Sequence, residues 1–220
     1  MGVLETVAHI VELGATPGAA SPAGRLRADF QARTGAFSPD DPWYEERIRA
    51  FWTDAVTSGR LGHDVERDLD EGERRLLPAL DRAHRGLFRA EGDALVDVWS
   101  GAELLVGVLD EASRAEVGAS SGQVFDARVV GRSDPFELVL LPGAVFHPRD
   151  ATACIEPVLA AARERALSTT DTLDALLRMQ RTLRKLSRVK AAYAYRPEAL
   201  SPEAPAIPHP AVRRTPKSPM

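Results

Sequence analysis

The chain has 220 residues, 44% of them hydrophobic and 27% charged, with a formal net charge of −4. That balance suits a globular protein with one sizeable core or two small ones, and the acidic total excludes a surface that is one continuous phosphate-binding field. No run of eighteen apolar residues occurs, which excludes a membrane-spanning helix, and the single cysteine, Cys154, excludes a disulfide framework and any cysteine-rich zinc site. The amino terminus lacks a basic stretch followed by an apolar core and a cleavage site, so a cytoplasmic location is expected.

The composition and hydrophobic period divide the chain into four regions. Residues 1–86 read as helical, with a short periodic segment at 3–13 closed by Gly14 and a Pro/Gly/Ala/Ser linker over 15–24. Ser38, Pro39, Asp40 and Asp41 stand in the order of a helix amino terminus. After them Tyr44, Ile48, Phe51, Trp52 and Ala55 recur at helical spacing, which makes an aromatic-rich core face with Trp43 as its most exposed neighbour. A second amphipathic helix is predicted over 71–84, kinked or split at Pro78.

The period changes to that of strands over 87–149. Short β-type runs stand at 87–90, 94–99, 102–108, 123–130 and 136–141, with a stub at 144–146 and turn signals between them. Such strands cannot bury two faces alone, so a small β-barrel or curled meander packed on helices is predicted, bending or opening around Gly107 and 111–122. Residues 150–195 return to helix. Asp150 is a cap candidate for 151–166, which contains Pro157, and Ser168, Thr169 or Thr170 caps a longer helix reaching about residue 190. Residues 196–220 hold seven of the sixteen prolines and read as a disordered tail. The fold class is therefore α+β: a helical amino-terminal part, a small central β-barrel or meander, carboxy-terminal amphipathic helices and a disordered tail.

Residues 178–196 contain seven positive charges and no acid. Arg178, Arg181, Arg184, Lys185 and Arg188 fall on one side of a helix, a form used against nucleic acid, anionic membrane or an acidic protein groove. These five residues are the candidate binding site. A structural reading competes with it, because residues 38–73 carry eleven acids against four arginines and the two segments can face each other within one molecule. The arginine excess itself, 25 against three lysines with no asparagine, is first a mark of a high-GC genome.

Reaction signatures are scarce. The five histidines, His9, His63, His84, His147 and His209, show no metal-ligand spacing, and no nucleotide-binding glycine motif or nucleophile elbow occurs, so neither metal nor cofactor is expected. His63 and His147 each have an acid nearby, which leaves a weaker enzymatic reading. Residues Thr34-Gly35-Ala36-Phe37-Ser38-Pro39-Asp40-Asp41-Pro42-Trp43-Tyr44-Glu45-Glu46-Arg47, with 97–99, resemble uncharacterised proteins of high-GC proteobacteria of the myxobacterial type. The resemblance implies no activity and carries over no catalytic residue. The sequence thus favours a non-enzymatic regulatory or adaptor protein with a protein partner; the alternative is a nucleic-acid-binding protein using the barrel and the basic helix.

Overall fold

The computed structural model describes residues 2–15, 21–91, 94–105, 109, 111–119, 122–133, 136–186 and 189–201. Helices α1 (Val3–Gly14), α2 (Pro22–Thr34) and α3 (Tyr44–Val56) are followed by three short helices, α4 (Leu61–Asp64), α5 (Glu71–Arg74) and α6 (Leu77–Asp81). Strands β1 (His84–Glu91), β2 (Ala94–Asp97) and β3 (Glu103–Leu105) come next, then α7 (Glu111–Ala119), β4 (Val124–Ser133), β5 (Phe136–Leu140) and β6 (Val145–Phe146). Helices α8 (Thr152–Glu164) and α9 (Thr169–Lys185) complete the regular elements. The protein is α+β, with its helical part first and a curled antiparallel half-barrel at the centre.

The sheet runs β3-β2-β1-β4-β5, every neighbour antiparallel, with β6 continuing beside β4. Strand β4 is the longest and carries three partners. Its later half pairs β5 through Val129↔Leu140 to Ser133↔Phe136, and its start pairs β6 through Phe125↔Phe146 and Asp126↔Val145. Between β5 and β6 the chain leaves the ladder as a turn at Pro142 and Gly143. That turn docks on α3: Thr53 Oγ1 donates to the Pro142 carbonyl, and a Cβ at Gly143, whose φ is 94°, would stand 2.6 Å from the Arg49 carbonyl oxygen. Only glycine accommodates both the left-handed backbone and the close approach.

Side-chain alternation gives the sheet two different faces. Phe88, Leu95, Phe125, Ala127, Val129 and Leu140 pack with Leu109 and with Val117 of α7. Leu87 and Val124 belong to the core formed by α8 and α9, and Val130 joins the core of the amino-terminal helices with Phe30, Phe51, Leu61 and Leu77. Phe51 is 1% exposed, as its place on the predicted aromatic stripe requires, and Trp52 and Tyr44 pack at the edge of the same cluster.

Several predicted boundaries shift for identifiable reasons. Ser38 is not a helix cap: its N–H bonds to the Asp41 carboxylate and its carbonyl accepts from the Asp41 N–H, closing a turn. Pro42 disfavours helical backbone at Asp41, so α3 starts only at Tyr44. The helix predicted over 71–84 breaks into α5 and α6, with Pro78 in the first turn of α6 where its missing N–H costs nothing, and His84 already belongs to β1. Within the predicted linker, Ser21 accepts from Gly24 N–H and with Pro22 starts α2. The predicted opening over 111–122 contains α7, tied to the sheet by Ser113 Oγ, which accepts from Leu140 N–H. Asp150 lies in a 3-10 turn before α8 and does not cap it with its side chain. Ser168 does cap α9, which ends at Lys185 rather than near residue 190.

The packed chain also extends past the predicted tail boundary at 196. A 3-10 turn over Pro197–Leu200 lies against α8 and α9 and buries Leu200 at 4% exposure. The tail prediction for 202–220 lies outside the described residues. Burying one leucine side chain is worth about 1.5–3 kcal/mol, so a chain ending at Arg196 should melt roughly 5 °C or more below one ending at Ser201. Equal melting temperatures by differential scanning calorimetry would mean that Leu200 contributes nothing.

Candidate functional site

Three strand positions that alternate along one sheet face are charged. Arg85 of β1 stands directly across from Arg128 of β4, and Asp126 lies two residues before Arg128 on the same face. Two like charges opposite each other are unfavourable unless acids reach them. Arg85 donates to Asp126 at 2.6 Å and to Asp174 of α9 at 2.7 Å, while Arg128 donates to Asp54 of α3. Arg33 of α2 closes the chain, donating to Asp54 at 2.7 Å and Asp174 at 2.6 Å. Three arginines and three aspartates thereby join α2, α3, α9, β1 and β4.

Burial and pairing act against each other in this network. Burial pulls the Arg85 guanidinium down, but Asp126 and Asp174 carry it above its ordinary value. Burial works to raise the Asp126 carboxyl, and Arg85, with Arg128 and His147, holds it below the ordinary carboxylate range. Arg128, buried beside Arg85, is lowered to about 10 despite Asp54, Asp126 and Asp174. All six charges have partners, which marks a structural connection rather than a site awaiting a ligand. Asp174→Ala leaves Arg33 and Arg85 each short of a carboxylate and should cost about 3–5 kcal/mol. Asp29→Ala, which removes only an exposed partner of Arg33, should cost less than about 1 kcal/mol. Comparable losses in urea unfolding would contradict that division.

The basic helix is built into the molecule at several of its candidate positions. Arg178 donates to the Arg33 carbonyl at 2.5 Å and the Leu200 carbonyl at 3.1 Å. Arg181 passes over Gly35, whose φ is 93°; a Cβ there would lie 2.8 Å from Arg181 Cδ. The Arg181 Nε is buried with no hydrogen-bond partner among the described residues. Arg184 pairs with Glu46, one acid of the 38–73 segment, and Gln180 reaches the same carboxylate at 3.5 Å. Lys185 is exposed, and Arg188 lies outside the described residues.

Arg47 of α3 is fully buried. Its Nη2 donates to the Thr34 carbonyl at 2.6 Å, and its guanidinium lies over Phe30 and Phe37 at 5.8 and 5.9 Å from the ring centroids. Its Nε and Nη1 have no hydrogen-bond partner among the described residues. Burial first, and Arg181 and Arg184 after it, lower Arg47 to about 10 against the pull of Glu46 and Asp126. Nearby, His147 Nδ1 lies 2.8 Å from the Tyr195 hydroxyl, with Nε2 unpartnered among the described residues. Burial pushes His147 down to about 4, assisted by Arg184 and Arg47 and opposed by Asp126.

An open cleft of about 370 Å³ adjoins this cluster, formed by the start of α3, the turn before β6 and the end of α9. Trp43, Phe146, Arg49, Arg184, Glu45 and Glu46 give it aromatic walls edged by both signs of charge. The indole N–H of Trp43 is buried with no acceptor among the described residues. Trp43 and Arg49 lie near each other in the sequence, but nothing in the sequence pattern brings Phe146 and Arg184 to the same cleft. The sequence pattern does not single out Arg33, Arg85 or Asp174. The available signal is a charge set into an apolar stripe, as at Asp174 between Leu173 and Leu177.

The other histidines form separate local pairs. His84 Nε2 meets buried Asp97 at 3.1 Å, and Asp97 also accepts from Ser100 Oγ at 2.6 Å and Trp99 N–H at 3.1 Å, which fixes the end of β2. His9 meets Glu73 at 2.6 Å and ties α1 to α5. His63 lies by Asp81 at 2.9 Å on the surface. Asp126 is engaged with Arg85, His147 with Tyr195, and the side chain of Glu137 lies outside the described residues. No group of three or more His, Cys, Asp or Glu able to hold a metal occurs among the described residues, nor does any helix long and apolar enough to cross a membrane. Comparison of the chain with known protein families, curated proteins and solved structures found no match.

The histidine environments predict opposite pH effects. His147 is held neutral by the fold below its ordinary pKa of 6.5, so the unfolded chain binds the extra proton, and stability is lost as pH falls from about 6.5 to about 4. His84, raised by its bond to Asp97, works the other way and contributes more once protonated. His147→Gln should flatten the loss of stability between pH 6.5 and 4, about 2–3 kcal/mol in the native protein. An unchanged slope in urea titrations would show that His147 takes up its proton in the folded state.

Proposed function

We propose that the chain is a non-enzymatic bacterial regulatory or adaptor protein that binds a partner protein, and that the cleft between α3 and α9 is its contact site. The observation that carries this reading is the cleft itself. Its wall joins Trp43 and Phe146 to Arg49 and Arg184, and tryptophan and arginine are among the residue types enriched where binding energy concentrates at protein interfaces. A further support is the use made of the basic helix: Arg178 and Arg184 are engaged within the molecule and Arg181 is half-buried against Gly35. Their charge is therefore a poorer match to a nucleic-acid backbone than the helical pattern suggests.

The test is capture of partners from nuclease-treated lysate with the whole chain and with Trp43→Ala/Arg49→Glu, the fold of each verified by its melting temperature. A stoichiometric protein retained by the wild type and lost by the variant is expected. A short oligonucleotide should bind more weakly than about 10 μM at physiological salt. Tighter oligonucleotide binding that falls by about 0.7–0.9 log units per log unit of salt for each contact, with protein capture unaffected by the cleft variant, would replace this reading by the nucleic-acid one.

A further inference from the structure

Two guanidinium groups close on the end of α2. Arg47 of α3 donates from Nη2 to the Thr34 carbonyl at 2.6 Å and reaches the Gly35 carbonyl at 3.5 Å. Arg181 of α9 packs on the same glycine, where its Cδ, Nε and Nη1 would stand 2.8, 3.4 and 3.4 Å from an added Cβ. Arg47 is 0% exposed, and its Nε and Nη1, together with Arg181 Nε, are buried without a hydrogen-bond partner among the described residues. The acids whose charge reaches Arg47 are engaged elsewhere: Glu46 with Arg184 and Gln180, and Asp126 with Arg85. Arg181 itself pushes the Arg47 guanidinium down.

Like charges buried side by side are costly unless a negative group stands with them. The end of α2 supplies only about half an elementary charge, and Arg178 draws on that end as well through the Arg33 carbonyl. Buried N–H donors are nearly always paired. Water would satisfy the donors and leave the charge, whereas an anion meets both needs. We infer that a small monovalent anion of the chloride class is bound between Arg47 and Arg181 at the end of α2, accepting from Arg47 Nε and Nη1 and from Arg181 Nε. Phe30 and Phe37 flank the Arg47 guanidinium with aromatic carbon. That setting disfavours a divalent oxyanion, because the cost of stripping water from an ion rises steeply with its charge. Arg181 is only half-buried, which gives the ion a way in from solvent. The site fastens α2, α3 and α9 together and is independent of the partner-binding reading above.

The test uses the full chain and exchanges sodium gluconate, whose anion is too large to enter, for sodium chloride at fixed ionic strength. Chloride at about 100 mM should raise the melting temperature by about 3 °C or more, and the rise should saturate. Bromide should act in the same way. The chlorine NMR line should broaden when protein is added and narrow again when bromide displaces the chloride. Arg181→Gln keeps an N–H donor but removes the charge, so it should weaken chloride binding about tenfold. Arg75→Gln removes an exposed cation paired with Glu71 and should leave both responses intact. Crystals grown from sodium bromide should show an anomalous peak within hydrogen-bond reach of Arg47 Nη1 and Arg181 Nε; this readout needs no variant, so it decides the matter even where Arg181→Gln does not fold. A melting temperature indifferent to the choice of anion would overturn the inference. So would line broadening that persists in folded Arg181→Gln, which marks an adventitious ion only, or a bromide crystal with no anomalous peak there, which leaves these nitrogens to water. Stronger stabilisation by sulfate than by chloride at equal ionic strength would also overturn it, by showing that the site takes a divalent oxyanion.

Discussion

The helices and the sheet are registered against each other by a buried chain of opposite charges. Arg85 and Arg128 face each other across β1 and β4, and the acids that neutralise them come from α3, α9 and β4 itself. A one-residue slip of β4 would carry Asp126 and Arg128 to the opposite face, among Phe88, Leu95 and Val117. Displacing α3 would withdraw Asp54 from Arg128, and displacing α9 would withdraw Asp174 from Arg85. Hydrocarbon packing tolerates such slippage far better than an unpaired buried charge does. The placement of the cleft follows, because both helices that form it are held by this network.

Much of this architecture was legible in the sequence where the signal is periodic. The strand runs were found nearly where they lie, because alternation and turn residues are local properties. The α3 stripe and the Ser168 start of α9 were legible for the same reason. Helix limits were less so. The order Ser38-Pro39-Asp40-Asp41 has the residue types of a helix start, yet Asp41 bonds back to Ser38 and Pro42 delays the helix to Tyr44. The turn over Pro197–Leu200 could not be foreseen from proline content, since its order comes from Leu200 meeting α8 and α9.

The candidate site was legible only in part. A basic stripe in a sequence reports where charge lies along a helix and says nothing of what covers it. Arg178 reaches the last turn of α2, and Arg184 reaches an acid 138 positions earlier, so their roles depend on contacts between segments far apart in the chain. The cleft was not legible as a whole, because its walls come from Trp43 and Arg49, from the turn at Gly143 with Phe146, and from Arg184, three places that only the completed fold brings together.

Arg47 links the architecture to the cleft. A buried guanidinium normally has a carboxylate beside it, but this one rests on the Thr34 carbonyl and on the faces of Phe30 and Phe37. Part of its charge is balanced by the carboxy-terminal end of α2, where exposed carbonyls give the helix a partial negative charge. Arg178, bonded to the neighbouring Arg33 carbonyl, uses the same end. Two cations at one helix terminus leave little of that negative charge for Arg181, which crosses Gly35 immediately beyond it. One turn further along α9, Arg184 has Glu46 as the carboxylate in contact. The arginines that fasten α3 and α9 to the end of α2 thus stand beside the cleft, whose own wall sets Arg49 and Arg184 against Glu45 and Glu46, so the position of both helices that form it follows from how the fold is closed.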